Sequence, residues 1–240
     1  MKSLFTLAIG LVASIGFSQT KLHQSFPINK GTELTLKFDY PQLVKVTTWE
    51  GNEIVIDGDV SINDGAYDHA FKLSKSSNST QLTIEGTVEG IKDIPHKVIA
   101  FNGKNEVVFN SLEEFKTHQK NTNTTYQTTS MSVDMNIVLE VKVPKNIKTT
   151  IESVYGTVEV KDFQAPIVAK STYGKVDAKI QPTQLGELSV ETKYGKFYND
   201  PNINVSISKY EAFHKLFTAN FGQGYAQVFT STYNNVYLRK

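Results

Sequence analysis

The sequence contains no cysteine and a single arginine, Arg239, among its 240 residues. The absence of cysteine excludes disulfide frameworks, thiol chemistry and a cysteine-linked lipid anchor. Arginine usually provides bidentate recognition of phosphate and carboxylate groups, so its scarcity argues against a phosphate-handling or polyanion-degrading site. The formal net charge is only +1, whereas nucleic acids and anionic lipids attract proteins with a clear positive surplus. We therefore expect no nucleic-acid partner.

Long apolar runs are also absent, apart from one stretch at the amino terminus. Lys2 is followed by an apolar segment, and the small residues Gly16 and Ser18 stand at minus three and minus one of a cut before Gln19. This pattern is typical of a signal peptide, and the stretch is shorter than the roughly 20 residues that a membrane span needs. Residues 1–18 are therefore predicted to direct export. The mature chain is expected to be periplasmic or extracellular, at the cell surface, without an integral membrane segment.

Apolar residues after Gln19 alternate with a period of two, which is typical of β-strands. The alternating runs are short and are bounded by Gly, Pro, Asn or Asp, so the sequence predicts an all-β protein. One helix of at most two turns is predicted over residues 111–118, where Ser111 and Glu114 have the spacing of a capping box. Clear examples of the alternating runs are Leu34, Leu36 and Phe38, then Ile54 and Ile56, then Ile137, Leu139, Val141 and Val143.

A polar stretch rich in Thr and Asn, residues 117–132, has no apolar periodicity and is predicted to be an exposed loop or edge. It separates an amino-terminal β region, residues 19–132, from a repeat region, residues 133–240. The stretch lacks the Gly or Pro content of a free linker. The two regions are therefore predicted to form one continuous β body.

A Tyr-Gly step recurs in the repeat region with the same neighbours each time. A small hydroxyl residue stands two positions before the tyrosine, an apolar residue stands four before it, and another apolar residue stands three after it. The last copy has Asn234 in place of glycine. The tyrosines of the four copies are Tyr155, Tyr173, Tyr194 and Tyr233.

Repeats of roughly 20 residues are typical of stacked supersecondary units. The repeat therefore predicts a β-solenoid of stacked short strands, like a parallel β-helix, with an antiparallel β-sandwich as the alternative. The gap from Tyr194 to Tyr233 is about twice as long, which predicts an imperfect further unit marked by Tyr210 and Phe213.

Two interpretations of the four tyrosines are open. One residue of phase is lost in each repeat, which predicts a bulge or corner at the glycine, where positive φ is tolerated. The alternation before each tyrosine places its ring on the inward side, so the rings are predicted to stack inside the body. The functional alternative is an exposed row that binds a sugar or a peptide through Tyr155, Tyr173, Tyr194 and Tyr233.

No catalytic, cofactor-binding or metal-binding residues are predicted. The five histidines lack metal-ligand spacing. The acid-rich stretch over residues 57–68 departs from the register of an EF-hand, and a strand that ends in an Asn-Asp-Gly turn explains it better. Acids that alternate with lysines, such as Glu159 with Lys161, indicate a solvated face rather than the paired carboxylates of a glycosidase.

Three of the repeats, SVYGTVEV, STYGKVDA and ETKYGKFY, resemble those of the bacterial putative-adhesin β-strand-repeat family with GIN-type head domains. The resemblance covers residues 135–240 and extends more loosely to FDYPQLVKVTTWEGNEIVIDGDVSIN in the amino-terminal region. It implies a right-handed β-solenoid of the cell envelope with no established enzymatic role.

The sequence thus predicts an exported, non-catalytic β-solenoid protein that binds or scaffolds at the cell envelope. A cell-surface glycan or an envelope protein is the expected partner, and no cofactor is expected. The alternative is a polysaccharide-acting solenoid enzyme, a lyase or hydrolase, because solenoid folds often host such activities.

Overall fold

The computed structural model describes residues 19–103 and 105–240, so the predicted signal peptide lies outside the described residues. The all-β prediction is confirmed, with one α-helix, α1 (Leu112–Thr122), in the described part of the chain. The strands are β1 (Thr20–Pro27), β2 (Glu33–Phe38), β3 (Leu43–Trp49), β4 (Glu53–Ile62), β5 (Phe71–Ser77), β6 (Gln81–Val88), β7 (Lys97–Asn102), β8 (Asn105–Phe109), β9 (Thr128–Ser132), β10 (Met135–Pro144), β11 (Thr149–Ser153), β12 (Thr157–Lys161), β13 (Ile167–Ser171), β14 (Val176–Lys179), β15 (Leu185–Thr192), β16 (Phe197–Asn199), β17 (Ser206–Glu211), β18 (His214–Asn220), β19 (Tyr225–Ser231) and β20 (Val236–Arg239).

Two large mixed sheets make up most of the molecule. Sheet A has the order β1-β4-β10-β3-β12-β14-β20-β16, and sheet B has the order β17-β18-β15-β19-β13-β11-β2-β6-β5. The central strands of both sheets pair in parallel, whereas β1 with β4, β5 with β6, and β17 with β18 pair antiparallel. Neither sheet closes on itself. Both sheets contain strands from the amino-terminal region and from the repeat region, since β2 pairs with β11 and β3 pairs with β12.

Five strand–corner–strand units stack side by side at the centre. Each unit gives its first strand to sheet B and its second to sheet A, and the units follow the spatial order β2–β3, β11–β12, β13–β14, β19–β20, β15–β16. The last unit of the chain therefore lies between two earlier ones. The prediction of an imperfect further unit around Tyr210 and Phe213 is wrong. That segment forms the antiparallel hairpin β17–β18, which covers the edge of sheet B beside β15.

One hydrophobic core fills the space between sheets A and B. The residue four positions before each tyrosine is fully buried, and the inward apolar residues of β12, β14 and β20 are buried as well, whereas Phe197 on β16 is partly buried. Burying an aliphatic side chain of this size contributes about 1.5–3 kcal/mol. The inward alternation of period two that the sequence shows therefore fixes which face of each strand packs, and the opposite faces are left to solvent.

Residues 97–132 form a separate small layer of β8-β7-β9 and α1 around a second cluster of Val98, Ala100, Phe109 and Phe115. The predicted cap is confirmed, because the Ser111 hydroxyl accepts a hydrogen bond from the Glu114 amide at 3.1 Å. The helix is longer than predicted. Residues 117–132 are not one loop, since α1 continues to Thr122, but β9 from Thr128 is an exposed edge strand of the small sheet, which agrees with the predicted exposed edge.

The small layer is tied to the main body by a buried lysine. Lys97 Nζ donates to carboxylate oxygens of Asp64 and of Asp134, the latter at 3.0 Å. Burial lowers the pKa of Lys97, but these two hydrogen bonds outweigh it and hold the pKa above its ordinary value. Asp64 belongs to the predicted Asn-Asp-Gly turn, which is confirmed by φ values of 47°, 57° and 93° at residues 63–65.

Candidate functional site: an exposed row of tyrosines

The inner side of each corner is held by a buried hydroxyl. Gly156 N donates to Ser153 Oγ at 3.1 Å, and Ser171 Oγ of the neighbouring unit donates to Gly156 O at 2.8 Å. Ser231 and Thr192 repeat the second contact on the next two units, at 2.9 and 3.0 Å. These four hydroxyl residues are all buried. The small hydroxyl two positions before Tyr173, Tyr233 and Tyr194 therefore connects its unit to the neighbouring one.

Glycine follows Tyr155, Tyr173 and Tyr194 because the backbones of adjacent units approach closely there. A Cβ on Gly156 would collide with the carbonyl oxygen of Pro41, and one on Gly174 would collide with that of Gly156. None of the glycines of the three Tyr-Gly steps has positive φ, so the expectation of a positive-φ corner is wrong. In the copy that carries Asn234, the side-chain amide donates to Tyr173 O at 3.1 Å.

The prediction that the tyrosine rings point inward is also wrong. Tyr155, Tyr173, Tyr194 and Tyr233 are 50–58% exposed. In the first repeat the inward positions are Ser153 and then Gly156, so two successive residues point outward between them. The inward–outward alternation is therefore interrupted between the hydroxyl residue and the glycine, and not at the glycine itself. This displacement carries the tyrosine to the outside of the corner.

The rings form a single continuous row, here called the tyrosine row. Its spatial order is Tyr40, Tyr155, Tyr173, Tyr233, Tyr194. Successive ring centroids are 5.8, 5.4, 5.1 and 4.9 Å apart, and the planes of neighbouring rings differ by 17°, 11°, 9° and 6°. The four tyrosines named from the sequence are therefore brought together, although not in chain order.

Two members of this surface were not predicted. Tyr40 begins the row, and the sequence contained a signal for it: Leu36 and Phe38 precede Tyr40 in the same frame as in the repeats, with proline in place of glycine. Phe213 extends the row at the other end, with its ring 5.4 Å from that of Tyr194 and tilted by 45°. Phe213 lies in the β17–β18 turn, so only the tertiary fold brings it to the row.

The backbone under the row is continuously hydrogen-bonded. Tyr155 N donates to Asp39 O at 3.2 Å, Tyr173 N to Val154 O at 2.8 Å, and Tyr233 N to Thr172 O at 2.9 Å. Each tyrosine is thus fixed to the unit before it. Because neighbouring strands are about 4.8 Å apart, the rings inherit a spacing at which flat stacking is favourable.

The stacking decides which parts of the rings a partner can reach. Each inner ring has a stacked neighbour on both faces, so a partner reaches mainly the edges of these half-exposed rings. A groove of about 310 Å³ follows the row on the sheet B side, with Lys37, Lys170, Thr172 and Thr232 among its lining residues. The site is therefore an aromatic ridge beside a polar groove.

A second stacked pair lies away from the row, on the outer face of sheet A. The rings of Tyr198 and Tyr237 are 4.9 Å apart with planes 8° from parallel. Beside them Arg239 makes two hydrogen bonds to the Asp177 carboxylate, at 2.6 and 2.9 Å. These bonds raise the pKa of the Arg239 guanidinium.

The described residues contain neither a metal-ligand cluster nor a membrane-spanning helix. Within residues 19–103 and 105–240 we find no group of three His, Asp or Glu side chains arranged to hold a metal ion. Over the same residues no helix has the length and apolar character that crossing a membrane requires.

Comparison with known proteins gives a likeness of fold. No protein-family model matches the chain, and no curated protein matches it. Among solved structures, a putative cell adhesion protein from Clostridium sporogenes aligns with a TM-score of 0.50 at 7% identity, over 92% of this chain and 99% of that one. A putative adhesin from Bacteroides fragilis aligns at 7% identity over 92% and 98%, with a TM-score of 0.20 that carries no argument. At this identity the first likeness concerns the fold alone.

Proposed function

We propose that this chain is an exported, non-catalytic protein of the cell envelope that binds or scaffolds through the tyrosine row. The observation that carries the proposal is the row itself, in which large aromatic side chains are held in register outside the core. Contiguous exposed apolar groups mark interaction sites. The fold likeness to a putative cell adhesion protein agrees with such a role, and the signal-peptide pattern of residues 1–18 agrees with export.

We further propose a β-solenoid body of the kind found in the putative-adhesin group with GIN-type head domains. The support is the repeated unit, which adds one parallel strand to each large sheet and one tyrosine to the row. In repeat proteins each unit contacts mainly its neighbours, and the stack offers an extended binding surface. The tyrosine row is such a surface, because it crosses five units without interruption.

An envelope protein fits the row better than a sugar does. Sugars bind aromatic residues mainly over the ring face, and in the row the inner faces are occupied by neighbouring rings. Ring edges and hydroxyls instead suit a protein surface, where tyrosine is enriched because it combines apolar area with a hydrogen-bonding group. Rings already fixed by stacking also lose little conformational entropy on binding.

The test is binding of the labelled protein, residues 19–240, to cells of the producing strain. We expect protease treatment of the cells to abolish binding and periodate treatment of their glycans to leave it unchanged. Tyr173→Ser with Tyr233→Ser should weaken binding at least tenfold, because both rings at the centre of the row are lost. The matched control is Tyr198→Ser with Tyr237→Ser, which removes an equally stacked pair elsewhere and should change binding less than twofold.

Three outcomes would contradict the proposal. Loss of binding on periodate treatment, together with weaker binding of the Tyr173 and Tyr233 double variant, would make the partner of the row a glycan. Equal effects of the two double variants would remove the row from the binding site. Release of unsaturated or reducing products from a polysaccharide, lost on changing one carboxylate, would establish the enzymatic alternative.

A further inference from the structure

The outer face of sheet A carries three cationic side chains in direct register. Lys161, Lys179 and Arg239 are cross-strand neighbours on β12, β14 and β20. All three are exposed, and the residue before each of them is buried in the core. We call this set the cation column. Its members are separated by one strand spacing, about 4.8 Å.

A second column lies two residues earlier on the same strands. It consists of Glu159, Asp177 and Tyr237, and Tyr198 extends it onto β16. Ion pairs to nearby carboxylates engage only part of the cation column. Arg239 pairs with Asp177, Lys179 is 4.0 Å from Asp162, and Lys161 has no carboxylate within ion-pair distance in the described residues.

The charges on the outer face of sheet B are arranged in the opposite way. There the cross-strand neighbours Glu85, Lys37, Glu152 and Lys170 alternate in sign. Lys37 lies 3.4 Å from Glu85, and Lys170 lies 3.1 Å from Glu152. Opposite charges placed directly across a strand pair stabilise a sheet and like charges destabilise it. Ion pairing therefore accounts for the charges of sheet B and for Arg239, which is bound to Asp177, but not for the direct juxtaposition of Lys161 and Lys179.

We propose that the cation column binds a linear anionic polysaccharide with a carboxylate on each sugar. Repeated cations at one strand spacing match a polymer that repeats its anionic group at about the length of one sugar. Shallow grooves of about 290, 350 and 380 Å³ follow one another across the face, from Lys45 past Lys161 to Tyr198. This path runs across the strands, in the same direction as the two columns. A polymer whose repeats match the column residues must lie in that direction.

The carboxylate column favours a glycan over other polyanions. Glu159 can accept hydrogen bonds from sugar hydroxyls, which a uronate polymer carries beside its carboxylates and which the backbone of DNA lacks. A membrane surface needs a broad positive surplus, and this chain has a formal net charge of +1. Tyr237 has the Lys175 and Arg239 cations each 5.5 Å from its ring centroid, which gives the groove an amphipathic end.

This site is separate from the tyrosine row. Strand β12 begins at Thr157, next to the corner that carries Tyr155, and ends at Lys161. The cation column therefore lies at the far ends of the strands that leave the row. The inference does not rest on the proposed function, and the two sites can fail independently.

The test is the affinity of purified residues 19–240 for polygalacturonate oligomers, measured by calorimetry at low and high salt. Lys161→Gln with Lys179→Gln should lower the affinity at least tenfold. The matched control, Lys21→Gln with Lys148→Gln, removes the same charge from two exposed lysines that line none of these three grooves and should change affinity less than twofold. Both double variants are expected to melt within about 2 °C of the parent, since only surface charges change.

Carboxyl-reduced oligomers of the same length provide the matched ligand control and are expected not to bind. The inference is overturned if they bind as tightly as polygalacturonate, or if the two double variants lose affinity equally. Preferential binding of duplex DNA or of phosphatidylglycerol vesicles would also overturn it. A variant with Tyr173→Ser and Tyr233→Ser should keep full affinity, and loss of affinity in that variant would place the glycan at the row instead.

Discussion

The two sides of each corner follow different rules, although their residues are adjacent in sequence. On the inner side, Ser171 is buried and hydrogen-bonded to the next unit, and Gly174 leaves no space for a Cβ. On the outer side, Tyr173 is half exposed and touches mainly the tyrosines above and below it. The repeated sequence thus combines two residues that the fold requires, the buried hydroxyl and the glycine, with a tyrosine that contributes little to the core.

This difference separates structure from function within one motif. The stacking of aromatic pairs contributes about 0.5–1.5 kcal/mol per pair beyond burial, and solvent exposure of the rings leaves little burial to add. A small polar residue at the outer position would keep the corner and would lose only this stacking contribution. The tyrosines are therefore explained better by what the surface binds than by what holds the corner together.

The largest effect is expected from the inner side, on adding one methyl group at Gly174. Gly174→Ala should destabilise the protein by about 3 kcal/mol or more, because its Cβ would meet the backbone of Gly156 and neither strand can move without breaking the parallel register. Urea unfolding measures the loss. Gly31→Ala is the control: Gly31 has φ of +85° and open space around it, so backbone strain alone should cost about 1 kcal/mol. Equal losses in the two variants would mean that the close approach at the corner is unimportant.

A smaller effect is expected from the hydroxyl that connects two units. Ser171→Ala leaves the buried carbonyl of Gly156 without its 2.8 Å partner, which should cost about 1–3 kcal/mol. Thr172→Ala, one residue later and on the outer side, is expected to change stability by about 0.5 kcal/mol or less. Thermal and urea unfolding of both variants make the comparison. A Thr172 variant as unstable as the Ser171 variant would refute the assignment of inner and outer sides.

Sequence patterns predicted what depends on neighbours along the chain. The alternation of apolar residues predicted the all-β class, and the Tyr-Gly frame predicted that four tyrosines would come together. The capping box before Leu112 and the turn at Asn63 were predicted for the same reason, since each is decided within a few residues.

What the sequence left open depends on pairing between distant strands. Periodicity did not show that β19–β20 inserts between β13–β14 and β15–β16, and so it could not place Tyr233 between Tyr173 and Tyr194. The direction of the rings was predicted wrongly because one residue of phase could be lost on either side of the tyrosine. The cation column was invisible for a related reason: alternation along β12 indicated a solvated face, and only the cross-strand register aligns Lys161 with Lys179.

The smallest effect on stability is expected from the outer side itself. Tyr173→Ala should lower the free energy of unfolding by about 1 kcal/mol, because its loss removes two stacking contacts at the lower end of their range and opens no cavity at this half-exposed position. A ring inside the core would instead cost about 3–5 kcal/mol. Tyr173→Phe keeps the stack and should match the parent in urea unfolding. If Tyr173→Ala unfolds as easily as Gly174→Ala, the row is part of the framework, and the contrast between the two sides of the corner disappears.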